Sequence, residues 1–311
     1  MEPTTTGDGS TLRDWRHLPM PVWLWTPIAL GPALWLLYLS PHAPVGIPHF
    51  DWGLYTADAT HWFTTGTPYV VPPGIYNPYV TTAYTYPPPS WPLLILAAVA
   101  PAAIEWVAIL PLLARPPSFW LAPLSAGLLT FGLAEGLWLG NVSIFMAGLL
   151  VLSFRGGRIG GLAFAGAVAL RLYPIALLPL LWSDGVRLRW FLGSFAALVV
   201  SGTLLLGIAG WLDWALIIAR EATVGTSWNP FGWMGLARIV PALATILLGL
   251  RLKSPTVTLL GATWLGAHVT NHYLVTIAAV LPFEGWRNRS TGSHRARLPI
   301  NRLKVPGDPG R

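Results

Sequence analysis

The chain contains no cysteine, which excludes disulfides, thiolate nucleophiles and thiolate metal sites. Charge is almost as scarce: 10% of the residues are charged, where a soluble domain carries about 25%. Hydrophobic residues make up 54%, in repeated stretches near the ~20 residues a helix needs to cross a bilayer. The composition therefore predicts an all-α polytopic membrane protein. No period of 20–50 residues recurs, which argues against a repeat array.

The formal charge of +7 does not point to nucleic acid, because aromatic residues are not interleaved with the basic ones. Instead Arg13 and Arg16 precede the first apolar stretch, and Arg287, Arg289, Arg295, Arg297, Arg302, Lys304 and Arg311 follow the last. This pattern predicts cytoplasmic termini that meet anionic lipid headgroups. The first 20 residues are polar, and no small-residue cleavage pattern follows the first apolar segment, so no cleaved signal peptide is expected.

A local absence says more. Between Pro41 and Pro89 lie 49 residues with ten prolines and ten aromatic residues, but no lysine or arginine. Apolar stretches of membrane length flank this segment. A long loop without positive charge, on a chain otherwise rich in arginine, is expected outside the membrane. It carries two carboxylates, Asp51 and Asp58.

The expected organisation is a tail at 1–20, a membrane-embedded domain at 21–283 and a basic cytoplasmic tail at 284–311. Spans are read at about 21–40, from Ser90 to before Arg115, at 118–138, and returning by Leu152. Residues 159–183 form one apolar stretch with arginine pairs at both ends, so a single crossing would leave one pair outside. Two short helices meeting near Arg171-Leu172-Tyr173-Pro174 resolve this, because proline disfavours helix just before it. The same arrangement is expected at 255–283, around His268 to His272. Spans at about 190–210 and 230–250 separate the two units, joined by an outer loop with Asp213, Arg220, Glu221 and Asn229. The total is about ten transmembrane or half-membrane helices. All basic residues except Arg171, Arg220 and Arg238 then face the cytoplasm.

Several residues suit chemistry in this topology. Residues 51–65 contain no proline and read as an amphipathic helix, with Asp51 and Asp58 seven apart near one face. Asp51 is either a helix cap or a general base for a hydroxyl, and Asp58 either a solvated or a supporting group. Tyr84-Thr85-Tyr86-Pro87-Pro88-Pro89 is a stiff re-entry strut whose rings also suit sugar. Arg171, inside an apolar stretch, suits a phosphate that it can bind bidentately. His268 and His272, at i and i+4, have zinc-pair spacing but no third ligand, so a polar or phosphate contact is the better reading and no metal is expected. Glu105 and Glu135 are intramembrane acids expected to pair within the bundle.

Taken in order, these patterns resemble glycosyltransferase family 87, of the GT-C class of polytopic membrane glycosyltransferases. Asp51, Tyr55, Gly66 and Tyr69 are similar to its first outer loop, and Tyr86-Pro87-Pro88-Pro89 to its Tyr-x-Pro-Pro re-entry. Gly140-Asn141-Val142-Ser143 stands where the family has Gly-Gln-x-Asn, with both polar positions changed, and Arg171-Leu172-Tyr173-Pro174 where it has Lys-x-x-Pro. Asn229 with Arg238, and Trp264 through His272, are similar to its later outer motifs.

The resemblance implies a GT-C-like fold and sugar transfer at the extracytoplasmic face. The donor would be a polyprenyl-phosphate hexose such as mannose, the acceptor a lipid or glycan hydroxyl, and no cofactor is implied. Asp51 would be the general base, and Arg171 and His272 would contact the donor phosphate. Asp58, Tyr55, Tyr86, Asn141, Asn229 and His268 are candidates for sugar or acceptor contacts. Broken helices with polar residues also mark transporters, so a flippase of lipid-linked sugars and an inactive membrane subunit are the competing readings.

Overall fold

A computed structural model describes residues 50–69, 86–99, 136, 141–224, 232–265 and 273–283. Every regular element among them is helical: α1 Phe50–Thr65, α2 Trp91–Val99, α3 Ser143–Ser153, α4 Gly157–Leu170, α5 Leu178–Leu181, α6 Gly185–Val224, α7 Ile239–Leu252, α8 Pro255–Trp264 and α9 Tyr273–Val280. Short 3-10 segments cover Pro88–Ser90, Tyr173–Leu177, Gly232–Arg238 and Leu281–Phe283.

Two helices are long and apolar enough to cross a membrane, Gly185–Ala219 and Met234–Leu252. They match the spans expected at 190–210 and 230–250. Much of their apolar surface points outward, with Leu204 80% and Val240 72% exposed. Such faces suit hydrocarbon rather than water. The expected spans at 21–40 and 118–138 lie outside the described residues, apart from Gly136.

The proline argument accounts for the break after α4. Pro174 has no N–H, and its ring would collide with the Leu170 carbonyl if the helix continued. The helix ends at Leu170, Arg171 is extended with φ −150° and ψ 131°, and Tyr173–Leu177 resumes as a 3-10 turn. α8 starts by a similar local logic. Ser254 Oγ accepts from Val257 N at 3.1 Å, and Pro255 occupies the first turn, where an N–H is dispensable.

One expectation is corrected. Asp213, Arg220 and Glu221 do not lie on a loop but on α6, which continues to Val224. The charges of this last stretch suggested a loop, yet helices readily continue past a span with polar residues. The element is interrupted at Gly207, whose φ of 68° and ψ of −178° break the helical run. A side chain there would be strained, which accounts for glycine at the kink.

The core forms where α3 packs on both α4 and α9, and α4 packs on α6. Ile144, Met146 and Leu150 of α3, Phe164 and Val168 of α4, and Val275 and Ala278 of α9 are buried together. Phe154 stacks on Phe283 with centroids 4.2 Å apart, and Phe164 meets Phe191 at 4.9 Å. At the expected cytoplasmic end, Asp184 joins α4 to α6. Its carboxylate accepts from Gly157 N at 2.8 Å, Val186 N at 3.0 Å and Arg187 N at 3.1 Å. The Gly157 and Arg187 N–H groups, with the Arg187 guanidinium 3.5 Å away, hold it below the usual aspartate range despite some desolvation.

Candidate functional site

The helix expected at 51–65 forms as α1 and ends at Gly66, whose φ of 82° suits a C-terminal cap. Residues 55, 58, 59 and 62 recur at helical spacing and make up its inward face: Tyr55 and Asp58 are buried, and Ala59 and Trp62 are half-buried. Trp62 anchors this face. Its ring meets Trp91 edge-on at 5.5 Å, and its Nε1 donates to Leu205 O on α6 at 3.4 Å. A break in a helical ladder frees carbonyls ahead of it, and Leu205 lies two residues before Gly207.

The re-entry strut is fixed by close packing. A Cβ on Gly202 would run into the Pro88 carbonyl oxygen and come within 3.0 Å of Pro89 N, so only glycine lets α6 pass this close. Tyr86 is thereby held between α1 and the break at Arg171. Tyr69 adds a further tie, its hydroxyl donating to Tyr86 O at 2.8 Å. Burial, and then the negative charge of Asp213, push the Tyr69 phenol well above its ordinary range.

These elements bring four of the sequence candidates together. The hydroxyls of Tyr55 and Tyr86 are hydrogen-bonded at 2.9 Å, and their rings meet edge-on at 5.8 Å. Arg171 Nη2 donates to Tyr86 Oη at 3.3 Å, with its Cζ 4.7 Å from the Tyr86 ring centroid. The guanidinium thus lies against both the face and the hydroxyl of one tyrosine, a cation–π contact supported by a hydrogen bond. On the other side, Tyr55 Oη accepts from Val142 N at 3.3 Å. That places the Asn141–Ser143 turn beside the tyrosines. Asn141 Oδ1 accepts from Ser143 N at 2.8 Å, and both residues are buried.

Asp58 is not the solvated group that was one of the two readings of it. It is 7% exposed, and no hydrogen bond or ion pair reaches its carboxyl among the described residues. Burial alone raises it from 3.8 to about 7. The side chain of Asp51, one turn before Tyr55, lies outside the described residues, as do Asn229, His268 and His272. Of the other two expected outer cations, Arg238 is buried at the start of α7, and the side chain of Arg220 lies outside the described residues. Among the described residues no three His, Asp or Glu side chains come together as metal ligands would.

Sequence reading missed Trp62 and the pair Tyr173 Oη with Thr276 Oγ1, 3.2 Å apart, which ties the broken helix to α9. Trp62 was legible in principle, since it continues the Tyr55–Asp58 face by one more turn. Tyr173–Thr276 was not, because 103 residues separate the two. No protein-family model, curated protein or solved structure matches the chain.

Proposed function

We propose that this protein is an integral membrane glycosyltransferase of about ten transmembrane or half-membrane helices. It moves a hexose from a polyprenyl-phosphate donor to an acceptor hydroxyl at the extracytoplasmic face. The observation that carries this reading is Arg171: a cation at a helix break, joined through Tyr86 and Tyr55 to the carboxylate-bearing helix of the first loop. Arginine binds phosphate bidentately, and a cation kept among apolar helices marks a functional position that a lipid-linked phosphate would suit.

In the reaction the acceptor oxygen bonds to the anomeric carbon while that carbon's bond to the phosphate oxygen breaks. The hydroxyl proton passes to a carboxylate of α1, which the family resemblance makes Asp51, and polyprenyl phosphate leaves. Arg171 stabilises the charge that builds on the phosphate, with His272 assisting in the same resemblance. The tyrosine contacts hold the guanidinium in one orientation before the donor arrives, so little reorganisation remains for the transition state.

The test is transfer of tritiated mannose from decaprenyl-phosphate mannose to octyl mannoside by the purified protein in nanodiscs. Arg171→Ala should lower the rate by about 100- to 1,000-fold, the usual effect of removing one donor to a developing oxyanion. Wild-type activity that survives this substitution would overturn the phosphate role. Movement of the donor across proteoliposomes without transfer would favour a transporter.

A further inference from the structure

A carboxyl that is 7% exposed and takes no hydrogen bond among the described residues is an expensive feature of α1. Asparagine or alanine would fold there at lower cost, so the packing of α1 does not account for an acid. The neighbours narrow what could. On the same face, one turn before, stands Tyr55, which leads through Tyr86 to Arg171. One turn beyond stands Trp62, packed on Trp91. At 1.5 Å rise per residue, Asp58 lies about 4.5 Å along the axis from Tyr55 and about 6 Å from Trp62. Asp58 therefore stands on α1 between the residue that leads to Arg171 and the Trp62–Trp91 pair.

Its electrostatic isolation has a use. Attack from the face opposite the leaving phosphate requires the base to stand apart from the phosphate's cation. Among the described residues no charged side chain perturbs Asp58, while the tyrosines 55, 86 and 173 are among the groups that act on Arg171. Among the described residues, the elements around α1 supply nothing that would pin the carboxyl as an anion. α2 carries no ionisable residue, and the Asp213 charge of α6 acts on Tyr69. On α1 itself, His61 is half-buried and makes no hydrogen bond or ion pair with Asp58 among the described residues.

We infer that Asp58, rather than Asp51, takes the proton of the acceptor hydroxyl, from its place between Tyr55 and Trp62 on the buried face of α1. This rests on the transferase reading. The O–H bond of the acceptor breaks as its oxygen joins the anomeric carbon, Asp58 becomes the neutral acid, and the phosphate departs toward Arg171. A base that is ionised above about pH 7 also gives the reaction a rising pH limb in the physiological range.

The experiment uses the full chain in nanodiscs with decaprenyl-phosphate mannose and octyl mannoside, measuring rate against pH. Wild type should show a rate that rises through a midpoint near 7. Asp58→Asn should lower kcat by about 100-fold or more and abolish the limb, with donor KM little changed. Asp58→Glu should restore part of the rate together with the limb, which a purely structural role would not do. Asp51→Asn should lower the rate without moving the limb.

An Asp58→Asn enzyme that keeps its rate and its limb overturns the inference and leaves the transferase reading standing. If wild type transfers nothing, that reading fails, and infrared spectroscopy decides about Asp58 separately. A protonated-carboxyl band lost in Asp58→Asn should then shift on adding octyl mannoside. A band that does not move overturns the assignment of a ligand-facing carboxyl.

Discussion

Replacing Asp58 with asparagine should make the protein more stable at alkaline pH. The folded carboxyl titrates near 7 instead of 3.8 because burial penalises its charge. Between these values the folded chain holds a proton that the unfolded chain has lost. Stability therefore falls as pH rises from about 4 to about 7, and is level outside that window. A difference of about three units at 1.36 kcal/mol each sets a ceiling of ~4 kcal/mol above pH 7. Little is lost to solvent screening, because the residue is 7% exposed.

Asparagine keeps the shape of the neutral acid and cannot ionise. The two proteins should thus be similar near pH 4 and diverge toward pH 8. At roughly 2 °C per kcal/mol for a chain of this size, the variant should unfold up to about 8 °C higher at pH 8. Thermal unfolding in nanodiscs at one fixed scan rate, across the pH series, provides the measurement. Parallel Tm curves for the two proteins would refute the reasoning, since they would mean that Asp58 keeps an ordinary carboxylate in the fold.

Two further expectations concern the scaffold. Asp184→Ala removes the cap of α6 and the bond to Gly157, and should cost about 2–3 kcal/mol from a cap and one further hydrogen bond. Its depressed titration means that this stability is present at neutral pH and fades as pH falls below the usual aspartate range. An acid unfolding midpoint that does not move in the variant would contradict it. Gly202→Ala forces a methyl against the Pro88 carbonyl and should cost about 1–3 kcal/mol. It should also lower transfer by displacing the strut that holds Tyr86. A variant with wild-type Tm and rate would show that the strut yields freely.

Much of the fold was legible because it follows from local chemistry. The proline at 174 dictated the end of α4 at Leu170, and the proline-free stretch after Phe50 dictated α1. The runs around 190–210 and 230–250 marked the two long apolar helices by composition alone. What misled was charge: Asp213, Arg220 and Glu221 suggested a loop, while backbone hydrogen bonding carries α6 past them to Val224. The kink at Gly207 was equally hidden, since glycine is frequent in this chain and only one φ value distinguishes its role.

The sequence by itself determined that the chain is helical and apolar, that residues 41–89 lack positive charge, and that Arg171 stands at a break. These are matters of composition, periodicity and proline geometry, which act over a few residues. Tertiary structure decided which residues share a site. The Tyr55–Tyr86–Arg171 contacts join residues 31 and 85 positions apart, and the turn at Val142 joins from 87 away. It also took Asp58 out of water. Spacing treats Asp51 and Asp58 alike, but the packing of Tyr55 and Trp62 inward carries Asp58 out of water, and a carboxyl's chemistry follows its surroundings.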